Sequence, residues 1–445
     1  MFTKYMLEVK KGNNSLLINT LTGAIDVVDN SSIDKVRQGE KSELYYKLKR
    51  RGYFKNDEEK NIINLLNKYN GKVSTFTNTI NLMLCLTYSC NLRCTYCFEK
   101  HEIHNKEGIM SLKQIEKAIS DVEHIILKKF NKRQFVISLF GGEPLQEKTY
   151  YLVKRVLQIA SYKGVFVNII TNGVELARFV DLFYEYRNII SIQITLDGIK
   201  DIHNKNRPGY GFEDSYSIIA RNISVALDME LPIIVRINTS LETSKYLNDF
   251  FKSKDFTEWC SYPNFKAEIA PVTNHFAENI KMKIYQESNV LDSIVENTEI
   301  FEYLGKKVFF TADMFRITGY LRCQLDPRFQ YNISPTIKFC EATQLTTYAV
   351  GPDNYVYLCT DTIGKKEYAA GKYYPQLILK EEYISKLKNR NVFTMEKCRD
   401  CEIATFCGGG CPAAALKKYN NIEHGFCGNA KELVEEFLGT VRVES

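Results

Sequence analysis

The chain has 445 residues, 44% hydrophobic and 25% charged, which indicates a folded globular protein of two or three domains. Its net charge is only +6 and its basic residues alternate with acidic ones, so it lacks the basic stretches typical of nucleic-acid-binding proteins. The sequence contains neither an apolar run of roughly eighteen residues nor the apolar core of a signal peptide. We therefore expect a cytoplasmic protein without a nucleic-acid or membrane partner.

Residues 1–80 form the first predicted domain. Residues 15–29 predict a β-hairpin, because apolar positions alternate on both sides of Thr22-Gly23, a pair that suits a turn. Charged helical patterns follow at residues 42–54 and 57–70. The pattern predicts a small α+β domain.

Residues 81–309 alternate strand and helix patterns and form the second predicted domain. One amphipathic stretch, residues 111–130, opens with Ser111 and Gln114 at the spacing of a capping box. Six strand–helix repeats predict an α/β fold with a parallel sheet and outer helices. The six apolar, β-branched runs are residues 81–88, 135–140, 165–171, 192–196, 232–241 and 265–272.

Three cysteines lie close together just after the first predicted strand. Cys90, Cys94 and Cys97 can hold three irons of a 4Fe–4S cluster, whereas a structural cluster takes four cysteines. The missing ligand indicates an iron that binds another molecule. A zinc knuckle is the alternative, with His101 or His104 as a fourth ligand.

Residues 310–445 are irregular and rich in cysteine, and they form the third predicted domain. The chain has 13 cysteines, and an odd number excludes complete pairing within one chain. In a cytosolic protein such cysteines favour metal ligation over disulfides. Cys85 and Cys260 fit no ligand pattern, and we expect each to be a small buried hydrophobic residue.

The stretch CNLRCTYC at residues 90–97 resembles the cluster motif of the radical S-adenosylmethionine (SAM) superfamily. In that family the open iron is chelated by the amino and carboxylate groups of SAM. The reduced cluster cleaves SAM to methionine and a 5′-deoxyadenosyl radical, which abstracts a hydrogen atom from the substrate. The resemblance implies a partial (β/α)6 barrel, related to the TIM barrel, with its ligands at the C-terminal ends of the strands.

A second stretch, Gly141-Gly142-Glu143-Pro144, resembles the GGEP motif that binds the amino group of SAM. Two glycines allow the backbone to approach a ligand closely. Residues 195–209 resemble the family segment S-x-DG…HD..R, with Thr195 and Asn204 in place of the commoner Ser and Asp. Each polar residue of these motifs, taken alone, could instead belong to a turn or a helix cap. Arg236 could be an ion-paired residue of the barrel, and Tyr96 could be a packing residue. The further SAM contacts that the resemblance implies are Tyr96, Thr171, Asn172, Thr195, Asp197, Arg236 and Asn238.

The spacing Cys398-x2-Cys401-x5-Cys407-x3-Cys411 resembles the SPASM extension, which binds two auxiliary 4Fe–4S clusters. The resemblance implies three clusters in all. Where the family has a glycine five residues before Cys359, this chain has Asn354, which tolerates the left-handed conformation. Cys323 would be the fourth ligand of the second auxiliary cluster. If Cys323 does not bind, one iron of that cluster is open to a substrate thiolate. The implied ligand sets are Cys398, Cys401, Cys407 and Cys427 for one cluster, and Cys340, Cys359 and Cys411 for the other.

Families with this layout mostly modify ribosomally made peptides. The resemblance implies a sactisynthase-like maturase that closes a thioether or carbon–carbon cross-link in a precursor peptide, with flavodoxin or ferredoxin as a reductant. Residues 1–80 would be a winged-helix-like domain that captures a leader peptide by strand addition, or a structural cap.

Two other functions stay open at this point. Anaerobic sulfatase maturases resemble the chain in both cluster regions, but they usually lack the leading segment. They also carry an Asp directly after the cysteine that corresponds to Cys359. In this chain Thr360 stands at that position, and Asp361 follows it. The non-enzymatic alternative is an iron–sulfur electron carrier or zinc scaffold. The sequence identifies no general base.

Overall fold

The computed structural model describes residues 1–55, 57–69, 78–97, 99, 108–272, 307–310 and 335–427, and also 430, 431, 434, 435 and 438. Its strands are β1 Met6–Lys11, β2 Asn14–Asn19, β3 Ile25–Asp29, β4 Thr79–Cys85, β5 Gln134–Phe140, β6 Val167–Thr171, β7 Ile190–Thr195, β8 Ile233–Thr239, β9 Phe265–Pro271, β10 Val308–Phe310, β11 Thr347–Val350, β12 Tyr355–Tyr357, β13 Gly371–Lys372 and β14 Ile378–Leu379. Its α-helices of four or more residues are α1 Asn30–Arg37, α2 Glu43–Arg50, α3 Asp57–Tyr69, α4 Leu112–Asp121, α5 Tyr150–Lys163, α6 Val180–Glu185, α7 Lys200–Asn206, α8 Ser215–Asp228, α9 Leu241–Ser244, α10 Leu247–Phe251, α11 Lys254–Ser261, α12 Glu341–Gln344, α13 Glu381–Asn389, α14 Glu396–Arg399, α15 Ala404–Cys407 and α16 Pro412–Tyr419.

The chain divides into two compact units, each built from separate stretches of sequence. The sheet unit comprises residues 75–312 and 345–385, and the cysteine-rich unit comprises residues 1–74, 313–344 and 386–445. The first predicted domain was residues 1–80, and the first stretch of the cysteine-rich unit is residues 1–74. The predicted third domain, residues 310–445, is divided between the two units, because β11 pairs with β4 and brings residues 345–385 into the sheet unit.

The sheet unit is built on one sheet with the strand order β10-β9-β8-β7-β6-β5-β4-β11-β12-β13-β14. All pairs from β10 to β11 are parallel, and β12, β13 and β14 are antiparallel. The six predicted strands correspond to β4–β9, so the α/β prediction is confirmed. The consecutive residues Leu82, Met83 and Leu84 of β4 are all buried, as expected of parallel strands covered on both faces.

The predicted capping box at the start of α4 is confirmed. The Ser111 hydroxyl accepts a hydrogen bond from the Gln114 amide at 3.2 Å, and the Ser111 amide donates to Gln114 Oε1 at 2.7 Å. The Gln114 side chain also donates to Asn354 Oδ1 at 2.7 Å, within the same unit. Asn354 has a φ of 69°, so the expected left-handed conformation is confirmed as well.

The cysteine-rich unit begins with an antiparallel sheet of order β1-β2-β3. The predicted hairpin is β2 and β3, with Thr22 and Gly23 in the turn between them. The two predicted helices correspond to α2 and α3, whereas β1 and α1 were not predicted. A core of apolar residues closes the sheet against α1 and α2, and it comprises Leu17, Val28, Ile33, Leu48 and Tyr53.

Two buried threonines join this small sheet to the cysteine-bearing segment of the same unit. The Thr20 hydroxyl donates to the carbonyl of Glu402, and the Thr405 hydroxyl donates to the carbonyl of Thr20. Both threonines are fully buried, so these hydrogen bonds form away from water. The N-terminal sheet and residues 402–405 therefore form one packed body.

Among the helices that the structure describes, none has both the length and the apolar character needed to cross a membrane.

Candidate active site

The loop that follows β4 carries Cys90, Cys94 and Cys97. The Cys90 thiol accepts hydrogen bonds from the Leu92 amide at 3.4 Å and from Asn172 Nδ2 at 3.8 Å. Burial raises the pKa of Cys90 to about 12, with further contributions from the charges of Glu143 and Cys94. Burial is also the main cause that raises the pKa of Cys94 and of Cys97. Three such thiols need a cation to become thiolates, because metal binding and deprotonation are coupled.

The glycine pair after β5 lies directly against this loop. A Cβ atom on Gly142 would lie 2.3 Å from the carbonyl oxygen of Tyr88 and 2.4 Å from that of Ser89. The Gly142 amide donates to the Thr87 carbonyl at 3.1 Å, and the Glu143 amide donates to the Ser89 carbonyl at 2.9 Å. Only glycine fits this approach, so the motif that starts at Gly141 fixes the chain just before Cys90.

Glu143 joins the C-terminal ends of β5 and β6. Its Oε1 accepts from the Thr171 hydroxyl at 2.6 Å and from the Leu145 amide at 2.7 Å, and its Oε2 accepts from the Asn172 amide at 2.7 Å. Burial raises the pKa of Glu143 to about 7, opposed by these hydrogen bonds. Asn172 in turn donates to Asn91 Oδ1 at 2.7 Å, so the two predicted motifs and the cysteine loop form one connected site. Pro144 follows in the same turn, and its carbonyl accepts from Thr149.

A second polar group forms around the hydroxyl of Tyr96. This hydroxyl lies 2.8 and 2.6 Å from the two carboxylate oxygens of Asp197, to which it donates. It also accepts from Arg207 Nη1 at 2.8 Å and from Asn238 Nδ2 at 3.2 Å. Burial raises the pKa of Asp197 to about 6, and the charge of Arg207 opposes that shift. The structure thus places Tyr96 in a hydrogen-bond network with buried partners, and its predicted contact with SAM stays a prediction.

Arg207 and His203 belong to this group, although they were not among the predicted site residues. Burial acts to lower the pKa of Arg207, but the charges of Cys94, Tyr96 and Asp197 outweigh it and raise that pKa. His203 Nδ1 accepts from the Asp197 amide at 3.1 Å, and burial together with Arg207 lowers its pKa and keeps the ring neutral. Both residues lie in the 195–209 segment whose family resemblance was noted, so the sequence signal was present.

Arg236 on β8 forms an ion pair with Glu268 Oε1 at 2.8 Å, and its Nε donates to Asn238 Oδ1 at 3.1 Å. The structure therefore contains the ion pair that was the alternative interpretation of this residue. Thr195 is the last residue of β7 and is buried. The SAM contacts of Arg236, Asn238 and Thr195 stay predictions.

Four cysteines of the cysteine-rich unit influence one another electrostatically. Burial raises the pKa of Cys398 to about 11, with Cys427 and Cys401 contributing. Burial raises the pKa of Cys407 to about 12, and the charges of Cys398, Cys427 and Cys401 contribute. A Cβ atom on Gly410 would lie 1.6 Å from the Phe426 carbonyl oxygen, so glycine is required where the turn after Cys407 approaches the residue before Cys427.

The donor chemistry of these two cysteine groups fits iron–sulfur clusters. Thiolates select soft metals and iron–sulfur clusters over hard cations. Within the described ranges, no three His, Cys, Asp or Glu side chains are arranged to hold a single metal ion. His101 and His104 lie outside the described residues.

The remaining predicted ligands are distributed over both units. Cys340 and Cys411 belong to the cysteine-rich unit and Cys359 to the sheet unit, while Cys323 lies outside the described residues. Their ligation of a second auxiliary cluster stays a prediction. Cys85 is fully buried, as expected, whereas Cys260 is only half-buried. None of the cysteines that the structure describes is joined in a disulfide.

The model of the radical SAM superfamily matches residues 84–235, which contain the cysteine loop and the polar strand-end residues described above except Arg236, Asn238 and Glu268. The chain is a radical SAM enzyme. Its SAM and barrel-cluster cofactors agree with the donor set of Cys90, Cys94 and Cys97.

Two curated proteins extend the comparison. The radical SAM cyclopropyl synthase TigE of Paramaledivibacter caminithermalis is 24% identical, over 98% of this chain and 95% of TigE. A cysteine-type anaerobic sulfatase-maturating enzyme of Clostridium novyi is 30% identical, over 38% of this chain and 46% of that protein. The similarity to TigE therefore spans nearly the whole of this chain, whereas the similarity to the sulfatase-maturating enzyme is confined to part of the chain.

Among solved structures, Streptococcus suis SuiB bound to precursor peptide SuiA has a TM-score of 0.58 and 14% identity, and the match covers 95% of this chain and 98% of SuiB. At this identity the likeness shows a shared fold. The fold class predicted for the radical SAM enzyme is thereby supported along most of its length.

Proposed function

We propose that this radical SAM enzyme is a peptide maturase with a SPASM-type cysteine-rich region, and that it forms a carbon–carbon bond in a ribosomally made precursor peptide. The observation that carries the proposal is the similarity to TigE over 98% of this chain. That span includes the N-terminal sheet and the cysteine-rich unit as well as the strand ends. The name of TigE favours a carbon–carbon bond over the thioether that the sequence left equally open.

The chemistry divides between the cofactor and the protein. SAM bound to the reduced cluster supplies the radical that removes one hydrogen atom from the peptide. The peptide radical then loses one electron and one proton as the new bond closes, so two hydrogens leave the peptide in total. We propose that Cys398, Cys401, Cys407 and Cys427 would hold an auxiliary cluster, which would supply an acceptor for this electron, and that flavodoxin or ferredoxin would supply the electron that starts the cycle.

The residues at the strand ends bind and orient the cofactor in this proposal. Glu143 holds the glycine turn beside the cysteine loop through its hydrogen bonds to Thr171 and to the Asn172 amide. Tyr96 and the buried Asp197 and Arg207 present a preorganised polar surface to the ribose or carboxylate of SAM. Because these groups already bond to one another, little ordering is needed when the cofactor binds.

The N-terminal sheet offers a place for a leader peptide. Strand β1 pairs with β2 on one side, and a cavity of about 670 Å³ lies beside it, lined by residues that include Met6, Glu8, Lys10, Val434 and Leu438. An extended peptide binds such a site through main-chain hydrogen bonds and alternate side chains. We propose that the leader binds at an edge of this sheet, the alternative being a purely structural role for residues 1–80.

The proposal is tested by incubating the iron-loaded enzyme with SAM, a low-potential reductant and candidate precursor peptides. We expect formation of 5′-deoxyadenosine and a product that has lost two hydrogen atoms with its thiols still open to alkylation. The Cys94→Ala enzyme is the matched control and should give neither. A product whose thiol is blocked would indicate a thioether instead.

Sulfatase maturation is the second candidate, favoured by the 30% identity to the Clostridium novyi enzyme. The match covers only 46% of that protein, and Thr360 stands where those enzymes usually carry an Asp. Conversion of a peptide Cys or Ser to an aldehyde, detected with a hydrazine probe, would replace the first proposal with this one. The family match to a radical SAM domain favours either enzyme over an electron carrier.

A further inference from the structure

A buried arginine lies among the cysteines of the cysteine-rich unit. Arg390 directly follows α13 and is only 2% exposed. An arginine is almost never fully buried unless its charge is compensated. The surroundings of this guanidinium therefore indicate what compensates it.

The guanidinium donates to four main-chain carbonyls on two segments of the same unit. Two belong to the glycine turn between Cys407 and Cys411, with Nη2 donating to Gly409 and Nη1 to Gly410, each at 2.8 Å. The other two precede Cys427, with Nε donating to Ile422 at 2.9 Å and Nη2 to His424 at 3.0 Å. Arg390 thus ties the segment that carries Cys427 to the segment that carries Cys407.

Cysteines are the main groups whose negative charge would favour the charged form of Arg390. Burial lowers the pKa of Arg390, and negative charge on Cys340, Cys398, Cys411 and Cys407 would oppose that shift. Carbonyl oxygens satisfy the donors of the guanidinium but carry no net charge. A cysteine-ligated iron–sulfur cluster is a net anion and would supply the missing negative charge.

We propose that Arg390 is a positioning residue for the auxiliary cluster of Cys398, Cys401, Cys407 and Cys427, and that its buried positive charge raises the reduction potential of that cluster. The inference rests on the auxiliary cluster of the proposed function. Net charge, hydrogen bonding and solvent exposure set the potentials of iron–sulfur clusters. A fixed cation shielded from water stabilises the reduced, more negative state, and so favours acceptance of the electron left by the peptide.

The test uses the full-length protein in a Cys90→Ala, Cys94→Ala, Cys97→Ala background, in which only auxiliary clusters assemble. Arg390→Gln and Arg390→Lys are compared with Arg399→Gln, which removes a charge in the same cysteine motif but from a side chain that is 58% exposed. Iron per chain is counted, and the clusters are titrated electrochemically with detection by electron paramagnetic resonance.

We expect Arg390→Gln to lower the ratio of reduced to oxidised cluster about tenfold at the wild-type midpoint, equivalent to about 59 mV for one electron. Arg390→Lys keeps the charge and should shift the potential less, while Arg399→Gln should leave it unchanged. An Arg390→Gln protein with the iron content and potential of Arg399→Gln would overturn the inference.

Should Arg390→Gln not be purified in folded form, Arg390→Lys decides the positioning role. A lysine cannot bond four carbonyls on two segments, so a chelator should remove iron faster than from Arg399→Gln, and amide exchange at residues 422–427 should accelerate. Equal rates would overturn the role. A background protein that binds no iron would refute the auxiliary cluster itself, whereas loaded clusters without peptide modification would refute only the proposed reaction.

Discussion

The C-terminal ends of the sheet strands and the cysteine-rich unit both present cysteines, but they are ordered in different ways. At the strand ends, polar side chains from successive strands bond to one another, as Glu143 does with Thr171, and Tyr96 with Asp197. In the cysteine-rich unit, Cys398 and Cys407 lie on helices of four residues, joined by turns and by Arg390. The first site is preorganised by the polypeptide, and we expect the second to depend on its metal.

The largest expected effect is loss of the barrel cluster. Cys94→Ala should abolish SAM cleavage, because two remaining thiolates cannot hold the cluster in the loop. High-performance liquid chromatography of 5′-deoxyadenosine measures the outcome. Cys260→Ala is the control, since this half-buried cysteine lies on α11 and should leave cleavage intact. Residual cleavage by Cys94→Ala would refute the ligand assignment.

Removal of iron should affect the two units unequally. Cluster binding contributes directly to folding where ligands carry the structure, so chelation should expose residues 396–427 to protease before the sheet is cleaved. Limited proteolysis with mass spectrometry distinguishes the two regions. Equal protection of the two units after chelation would contradict the contrast drawn between them.

Tyr96→Phe tests the preorganised site. The substitution removes a hydroxyl that bonds the charged groups of Asp197 and Arg207, and such bonds contribute about 1.5–3 kcal/mol. We expect SAM to bind the iron-loaded enzyme at least about tenfold more weakly by calorimetry. The control is Tyr216→Phe, which removes a hydroxyl bonded to Asp255 at 3.0 Å elsewhere in the sheet unit. Equal SAM affinities of the two variants would show that the hydrogen bonds of Tyr96 stabilise the fold and do not contribute to SAM binding.

The smallest expected effect concerns the buried threonines of the cysteine-rich unit. Thr405→Val leaves the Thr20 carbonyl without that donor and should destabilise the unit by about 1–3 kcal/mol. Urea unfolding measures the change. Thr257→Val, an exposed hydroxyl on α11, should change stability by less than about 0.5 kcal/mol. A Thr405→Val midpoint equal to that control would refute the expected contribution of this contact.

Local patterns in the sequence predicted the elements that local forces determine. The alternating strand and helix patterns predicted β4–β9, and the capping box predicted the start of α4. The asparagine at position 354 predicted a left-handed backbone conformation at that residue. Pairings between distant segments were not predicted, because β11 has only four residues and its place depends on β4. The regrouping of residues 345–385 with the sheet follows from that one pairing.

The site was predicted unevenly for a related reason. Spaced motifs identified Cys90, Glu143 and Asp197, whose chemistry is visible in sequence. Arg390 carries no motif, and its role depends on carbonyls of residues that come together only in the folded chain. A buried charge such as that of Arg390 can be recognised only when the three-dimensional arrangement of its neighbours is known.

The pairing of β11 with β4 also has a consequence for how the protein is made. During translation β4 emerges early, and the edge that β11 will cover stays open until the ribosome has passed Val350. That edge presents unpaired amides and carbonyls flanked by buried aliphatic residues, which is a template for aggregation. Shortened versions of the gene that stop before residue 347 should therefore yield inclusion bodies, and nascent chains should need chaperones until the strand arrives.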